Sequence, residues 1–361
     1  MTHSSADALE SALTYPLDDR LPSLGGAIEI APGLKWLRMP MPFQLNHINL
    51  WLLRDRVEGR DGWAVVDCGV DMPKARAAWE NIFAHELDGL PILRVLVTHM
   101  HPDHVGLAHW LCERWSTPEF ECRLWMSAAD YSAALHASAG ADRNFGELMS
   151  DFFACHGITD TVLLERMRQM RGNYTTMVPG VPSAYRRLLD GMDVTLADSD
   201  QWHCIVGYGH STEHIALHSA ARKLLIAGDM VLPRISTNLS VFGSEPEGDP
   251  LALFLMSLQR YRALPADTLV LPAHGKPFIG LHTRLDQLQD HHRDRLAEVI
   301  TAAREKPVSG TDILPLLFKR KLDSHQLSFA LGEAVAHLNN LWHAGQLTRT
   351  RDSEGVWRYA A

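Results

Sequence analysis

Thr98-His99-Met100-His101-Pro102-Asp103-His104 puts three histidines and an aspartate into six residues, directly after the largely apolar run Leu93–Val97. Imidazole and carboxylate together suit a borderline cation such as zinc, or iron or manganese. A short loop leaving the end of a buried strand can aim alternate side chains at one point. A regular helix with this spacing cannot. A single histidine would ordinarily be structural, but this density of ligating groups points to a metal.

Groups of matching chemistry recur downstream, each at the end of an apolar run. His210 lies in Gly-His-Ser-Thr after the strand that ends at Val206. Asp229 follows Leu224–Ala227, and His274 lies in Pro-Ala-His-Gly after Thr268–Leu271. Around them, apolar runs at 28–30, 34–37, 48–53, 63–67 and 123–126 read as strands, and the segments 73–88 and 105–115 read as helices. Ile215–His218 and Lys223–Ala227 form a hairpin pattern closed at 220–222. Alternating strands and helices predict α/β layering. Residues 128–190 differ, with helical spacing interrupted at Gly172, Pro179, Gly180 and Pro182. They predict a helical insertion lying over the rest. From about 284 a long amphipathic helix, two further helices and a turn-linked pair of short strands follow, which is the element order of a winged helix. Residues 1–26 read as a loose polar arm.

The ordered motif set resembles the metallo-β-lactamase superfamily over roughly residues 27–282. The resemblance implies a four-layer αββα catalytic domain, with the helical insertion at about 128–190 and a winged-helix-like domain at 283–361. It also implies a di-metal centre. His99, His101 and His210 would hold one ion, and Asp103, His104 and His274 the other, with Asp229 bridging. Aspartate suits the bridging position because a carboxylate spans two cations and a neutral imidazole does not. The cofactor expectation is two divalent ions, zinc first, with iron or manganese as alternatives. Asp67, in Asp67-Cys68-Gly69, is either a carboxylate orienting a ligand histidine or a turn cap. Thr98 and Ser211 are candidates for similar support, and His214 for a supporting or substrate-side role rather than ligation. His47, His109, His218, His291 and His292 read as surface or packing residues. One departure is Ala273, where relatives usually carry glycine before the last histidine.

Such a centre implies hydrolysis by a hydroxide shared between two cations, with Asp103 able to relay a proton. No GxSxG nucleophile motif is present. The bridging aspartate favours a thioesterase, lactonase or nuclease site over a β-lactamase. An insertion rich in Met149, Phe152, Phe153, Met167, Met170, Tyr174 and Met177 predicts an enclosed apolar pocket for a small ester, thioester or lactone. The nearby Arg166, Arg168 and Arg171 would meet an anionic substrate group or form a solvated face.

The tail resembles that of the β-lactamase-like protein 2 group, which includes a single-strand endoribonuclease, so RNA cleavage is the alternative. A metal-binding interaction protein without catalysis is a third reading, disfavoured by the full ligand set. Residues 284–361 hold 11 basic and 10 acidic side chains, and the whole chain carries a net charge of -9. Both argue against a bulk phosphate binder, although Arg349, Arg351 and Arg358 sit together on the wing. The remaining expectations are a small-molecule substrate, no membrane partner, and a wing that packs on the catalytic domain or on a second copy. Five scattered cysteines without a CxxC pair and no secretory leader favour the cytoplasm.

Overall fold

The computed structural model describes residues 9–140, 144–169, 173–319, 322 and 324–361. Strands β1 (Ala27–Ala31), β2 (Leu34–Pro40), β3 (His47–Val57) and β4 (Arg60–Val66) run as an antiparallel meander. Helix α1 (Pro73–His85) then leads to β5 (Ile92–Leu96). The short helix α2 (Pro102–Val105) and α3 (Ala108–Trp115) follow, then β6 (Arg123–Met126) and α4 (Ala128–Ser138). Helices α5 (Phe145–Cys155), α6 (Thr161–Arg168) and α7 (Tyr174–Met177) complete the insertion before β7 (Tyr185–Arg187). These seven strands form one sheet in chain order, with β4 to β7 parallel. The second sheet contains β8 (Asp193–Thr195), β9 (Gln201–Gly207), β10 (His214–Ser219) and β11 (Leu224–Gly228). After α8 (Pro250–Tyr261), it adds β12 (Leu269–Pro272) and β13 (Phe278–Ile279). The expected 215–227 hairpin is the β10–β11 pair.

Burial follows the predicted layers. Trp36, Trp51 and Val66 of the first sheet meet Trp202, Leu217 and Ile226 of the second in a core between the sheets. The outer face of the first sheet packs on α1 and α3 through Trp79, Ile82 and Leu111. The outer face of the second packs on α8 and the helix that follows β13 through Phe254, Leu258 and Leu285. A strand such as β5, with every residue buried, is apolar at four of its five positions because both its faces are covered, and its one charge, Arg94, pairs with the buried Asp55.

Past β13 come the three expected helices, α9 (Leu281–Glu305), α10 (Gly310–Leu317) and α11 (Ser324–His343). A two-stranded hairpin of β14 (Thr348–Arg351) and β15 (Trp357–Ala360) closes the chain. They enclose a small core around Val299, Ile313, Leu338 and Tyr359. No described helix is long and apolar enough to cross a membrane.

Two expectations need correction. The described part of the arm is not loose: Leu13 is buried and Thr14 bridges to Ile279. Four of the insertion's apolar residues serve a core and not a pocket. Met149, Phe152, Phe153 and Met167 share a core with Leu331, Val335 and Ala336 of α11. An amphipathic helix reports that one face is buried, but not against what. Met170 and Arg171 lie outside the described residues.

Candidate metal centre

The sheets expose their strand ends along one edge, and every predicted ligand issues there. Asp67 follows β4, the segment 98–104, a loop that runs into the short helix α2, follows β5, His210 follows β9, Asp229 follows β11 and His274 follows β12. In layered α/β folds this carboxyl edge is where ligands collect. A main-chain bond from Ile215 N to Thr98 O (2.8 Å) ties the two sheets together at this point.

All seven predicted ligand side chains converge, in two sets that share Asp229. In the first, His99 Nε2 lies 2.9 Å from His101 Nδ1 and 3.2 Å from His210 Nε2. His210 Nε2 lies 3.2 Å from Asp229 Oδ2. In the second, Asp103 Oδ2 lies 3.6 Å from His104 Nε2 and 3.4 Å from His274 Nε2. Asp229 Oδ1 lies 3.6 Å from His104 Nε2 and 3.4 Å from His274 Nε2. Bond lengths of about 2.0–2.1 Å to a tetrahedral ion correspond to ligand–ligand edges of about 3.3 Å, close to these spacings. His104 Nε2 and Asp229 Oδ1 are fully buried and make no hydrogen bond. Lone pairs converging on one point without a donor fit a cation, so the donor set suits a pair of metal ions.

The far side of four of the five ligand rings is held. His104 Nδ1 donates to Asp67 Oδ2 (2.8 Å), and His210 Nδ1 donates to Asn238 O (2.9 Å). His274 Nδ1 donates to His47 O (2.8 Å). Thr98 Oγ1 lies 3.0 Å from His99 Nδ1 and donates to Asp67. Each bond fixes a tautomer that leaves Nε2 free toward the centre. Asp67 also accepts from Thr98 N (2.8 Å), so it supports the loop as well as a ring. Its φ of 62° is tolerated by Asp and Asn better than by most residues.

Electrostatics separate the rings. Burial, reinforced by neighbouring imidazoles, holds His99 well below its ordinary pKa. Burial and His210 hold His101 down to about 3. Both therefore stay neutral, the form that ligates. Burial opposes charge on His104 as well, but Asp67, Asp103 and Asp229 outweigh it and push its pKa up to about 10. The carboxylates thus create a demand for positive charge at this point. Burial also opposes ionisation of Asp103, yet His104 and His274 bring it down to about 2.

His214 stays outside the two sets. Its Nε2 accepts from Asp229 N (3.2 Å) and its ring lies 4.9 Å from that of His99, in keeping with a supporting position. Gly228 makes room for it, since a Cβ there would lie 2.3 Å from His214 Nε2. The Ser211 hydroxyl donates to Asp130 Oδ2 (3.4 Å), beside the ligand His210. The methyl of Ala273 is packed in the hydrophobic core.

Sequence reasoning misses one residue here, Asp130, and gives two others, Tyr174 and His47, different roles. Asp130 on α4 is fully buried and accepts from Met100 N (2.9 Å) and Glu213 N (2.6 Å), clamping the two ligand loops together. The pair Ser127 and Asp130 resembles a capping motif, and that spacing was its only signal. Tyr174 on α7 donates to Met100 O (2.6 Å). His47, read as packing, accepts from Gly275 N (3.1 Å) beside His274.

The profile of the Metallo-beta-lactamase superfamily matches residues 45–274, and that of the Metallo-beta-lactamase-like, C-terminal domain matches residues 296–361. A Burkholderia ambifaria structure described as a beta-lactamase domain protein is 53% identical. The match covers 98% of this chain and 99% of that one, with a TM-score of 0.92. A metallo-beta-lactamase family protein from Thermus thermophilus is 27% identical. Here the coverage is 92% and 99%, with a TM-score of 0.74. The Bacillus subtilis protein named probable metallo-hydrolase YqjP is 25% identical over 312 residues, which is 84% of this chain and 91% of that one.

Proposed function

The chain belongs to the metallo-β-lactamase superfamily and is a metal-dependent hydrolase; on that premise we propose that it cleaves a small ester, thioester or lactone at a two-ion centre. His99, His101 and His210 would hold one ion, and Asp103, His104 and His274 the other, with one oxygen of Asp229 turned to each. Cations held there, zinc in the first instance, supply an activated water and polarise the attacked bond. The chain's own part is to fix the geometry. Asp67, Thr98, Asn238 O and His47 O hold the rings, and Asp130 locks the two loops. Asp103 is ionised and more exposed than His104 beside it (13% against 0%), and we assign proton transfer to it.

The observation that favours a small substrate over RNA concerns the wing arginines. Arg349 lies over Trp342 at 3.7 Å and pairs with Glu247. Arg358 pairs with Asp352 (2.8 Å) and Asp312 (3.1 Å), and Arg351 lies over Trp357 at 4.5 Å. Cations engaged within the protein are poor phosphate contacts. In the insertion, Arg168 pairs with Asp151. The test is one metal-loaded preparation assayed on p-nitrophenyl esters, acyl thioesters, lactones and short RNA. Turnover of an acyl substrate is expected. RNA cleavage with none of the others hydrolysed would overturn the reading.

A further inference from the structure

We propose that the C-terminal helices position the metal centre through a strut, the segment 229–241, with Gly332 and Arg284 as its positioning residues; this rests on the two-ion reading above. The strut touches the centre twice. Thr237 Oγ1 donates to the main-chain oxygen of Asp229, and Asn238 O accepts from His210 Nδ1 (2.9 Å). One short segment thus anchors the backbone of the bridging residue and the orientation of a ligand ring.

The strut itself is gripped from two sides by the C-terminal helices. From α9, the fully buried Arg284 donates to Leu232 O (2.5 Å) and Ile235 O (2.9 Å). A guanidinium is a rigid fork, so two carbonyls bound to it keep a fixed separation. From α11, Gly332 O accepts from Val241 N (3.1 Å), and Phe329 O accepts from Ser240 Oγ (3.3 Å). The same Ser240 hydroxyl lies 2.8 Å from Asn238 Oδ1. Val241 is buried in the core shared by the insertion and α11.

Glycine at 332 is what allows this approach. A Cβ there would lie 2.8 Å from Ser240 Cβ, 2.9 Å from Ser240 Oγ and 3.0 Å from Val241 O. The chain of contacts from α11 to the centre is therefore Gly332, Ser240 with Val241, Asn238 and His210. A side chain at 332 pushes on the residues beside the acceptor that orients His210. This gives the C-terminal unit a role in metal retention that does not depend on its touching substrate.

The test uses the full-length chain and reads metal retention directly. Wild type, Gly332→Ala and Leu317→Ala are loaded with cobalt or zinc and titrated with a competing chelator, with the cobalt absorption spectrum followed in parallel. Leu317→Ala loosens the C-terminal core away from the strut and controls for general destabilisation. Partners that orient metal ligands typically govern roughly 10–100-fold in affinity, so Gly332→Ala should release one ion at least about 10-fold more readily and alter the cobalt spectrum. Leu317→Ala should keep wild-type retention even if its melting temperature falls further. Adding Ser240→Gly to Gly332→Ala removes the two nearest contacts, and, because it also removes the Ser240 hydroxyl bonds, retention should return to that of Ser240→Gly alone, measured beside it. That double variant also separates a local push from failure to fold. Equal retention in Gly332→Ala and wild type, or equal loss in Gly332→Ala and Leu317→Ala, would overturn the strut. A wild-type chain that takes up no metal would instead overturn the two-ion reading on which it rests.

Discussion

The two halves of the centre are built differently. His99, His101, Asp103 and His104 come from one continuous segment, a loop that runs into α2, held by side-chain carboxylates. Asp67 carries His104 and Thr98, and Asp130 carries the amide of Met100. His210, Asp229 and His274 come from separate strand ends and are steadied largely through main-chain oxygens, those of Asn238 and His47 among them. A carboxylate adds charge as well as direction, whereas a carbonyl adds direction only and depends on whatever holds its loop. The first half should therefore be sensitive to point changes in its supports. The second should be sensitive to displacement of whole segments.

The largest effect expected from a supporting residue is that of Asp67→Asn. The variant keeps the shape and tolerates the left-handed backbone, but its charge is gone and an amide can face the His104 ring. Metal affinity should fall roughly 10–100-fold in a chelator competition. Retention within twofold would reduce Asp67 to a turn cap. Next is Asp130→Ala, which leaves the half-buried amides of Met100 and Glu213 without their acceptor. A stability loss of about 1–3 kcal/mol is expected from denaturant unfolding, and an unchanged midpoint would mean that the clamp is not energetically coupled. Smallest is Asn238→Ala. The carbonyl that orients His210 belongs to the backbone and survives, so metal affinity should stay within about twofold. A tenfold loss there would show that the side chain of Asn238, through Ser240, carries the support, and would blur the contrast between the halves.

The same contrast explains what was legible in the sequence. The 99–104 cluster announces itself by density, and His210, Asp229 and His274 by their place after apolar strands. Asp67 was visible as a candidate for the same reason. The acceptors at Asn238 and His47 were not, because any residue offers a carbonyl and only the fold selects one. Asp130 was hidden inside a helix start. The four layers follow from the order and burial of the strands. The docking of Met149, Phe152, Phe153 and Met167 onto α11 does not, since periodicity names a buried face but not its partner.

The central claim is that seven side chains serve two ions with Asp229 between them. Elemental analysis of the saturated and desalted wild-type chain and of Asp229→Asn tests it most directly. The account predicts about two ions per wild-type chain, and weakened retention of both in the variant, because a neutral amide spans two cations poorly. A wild-type chain that saturates at one ion, or a variant that loses one and keeps the other at full affinity, would contradict it.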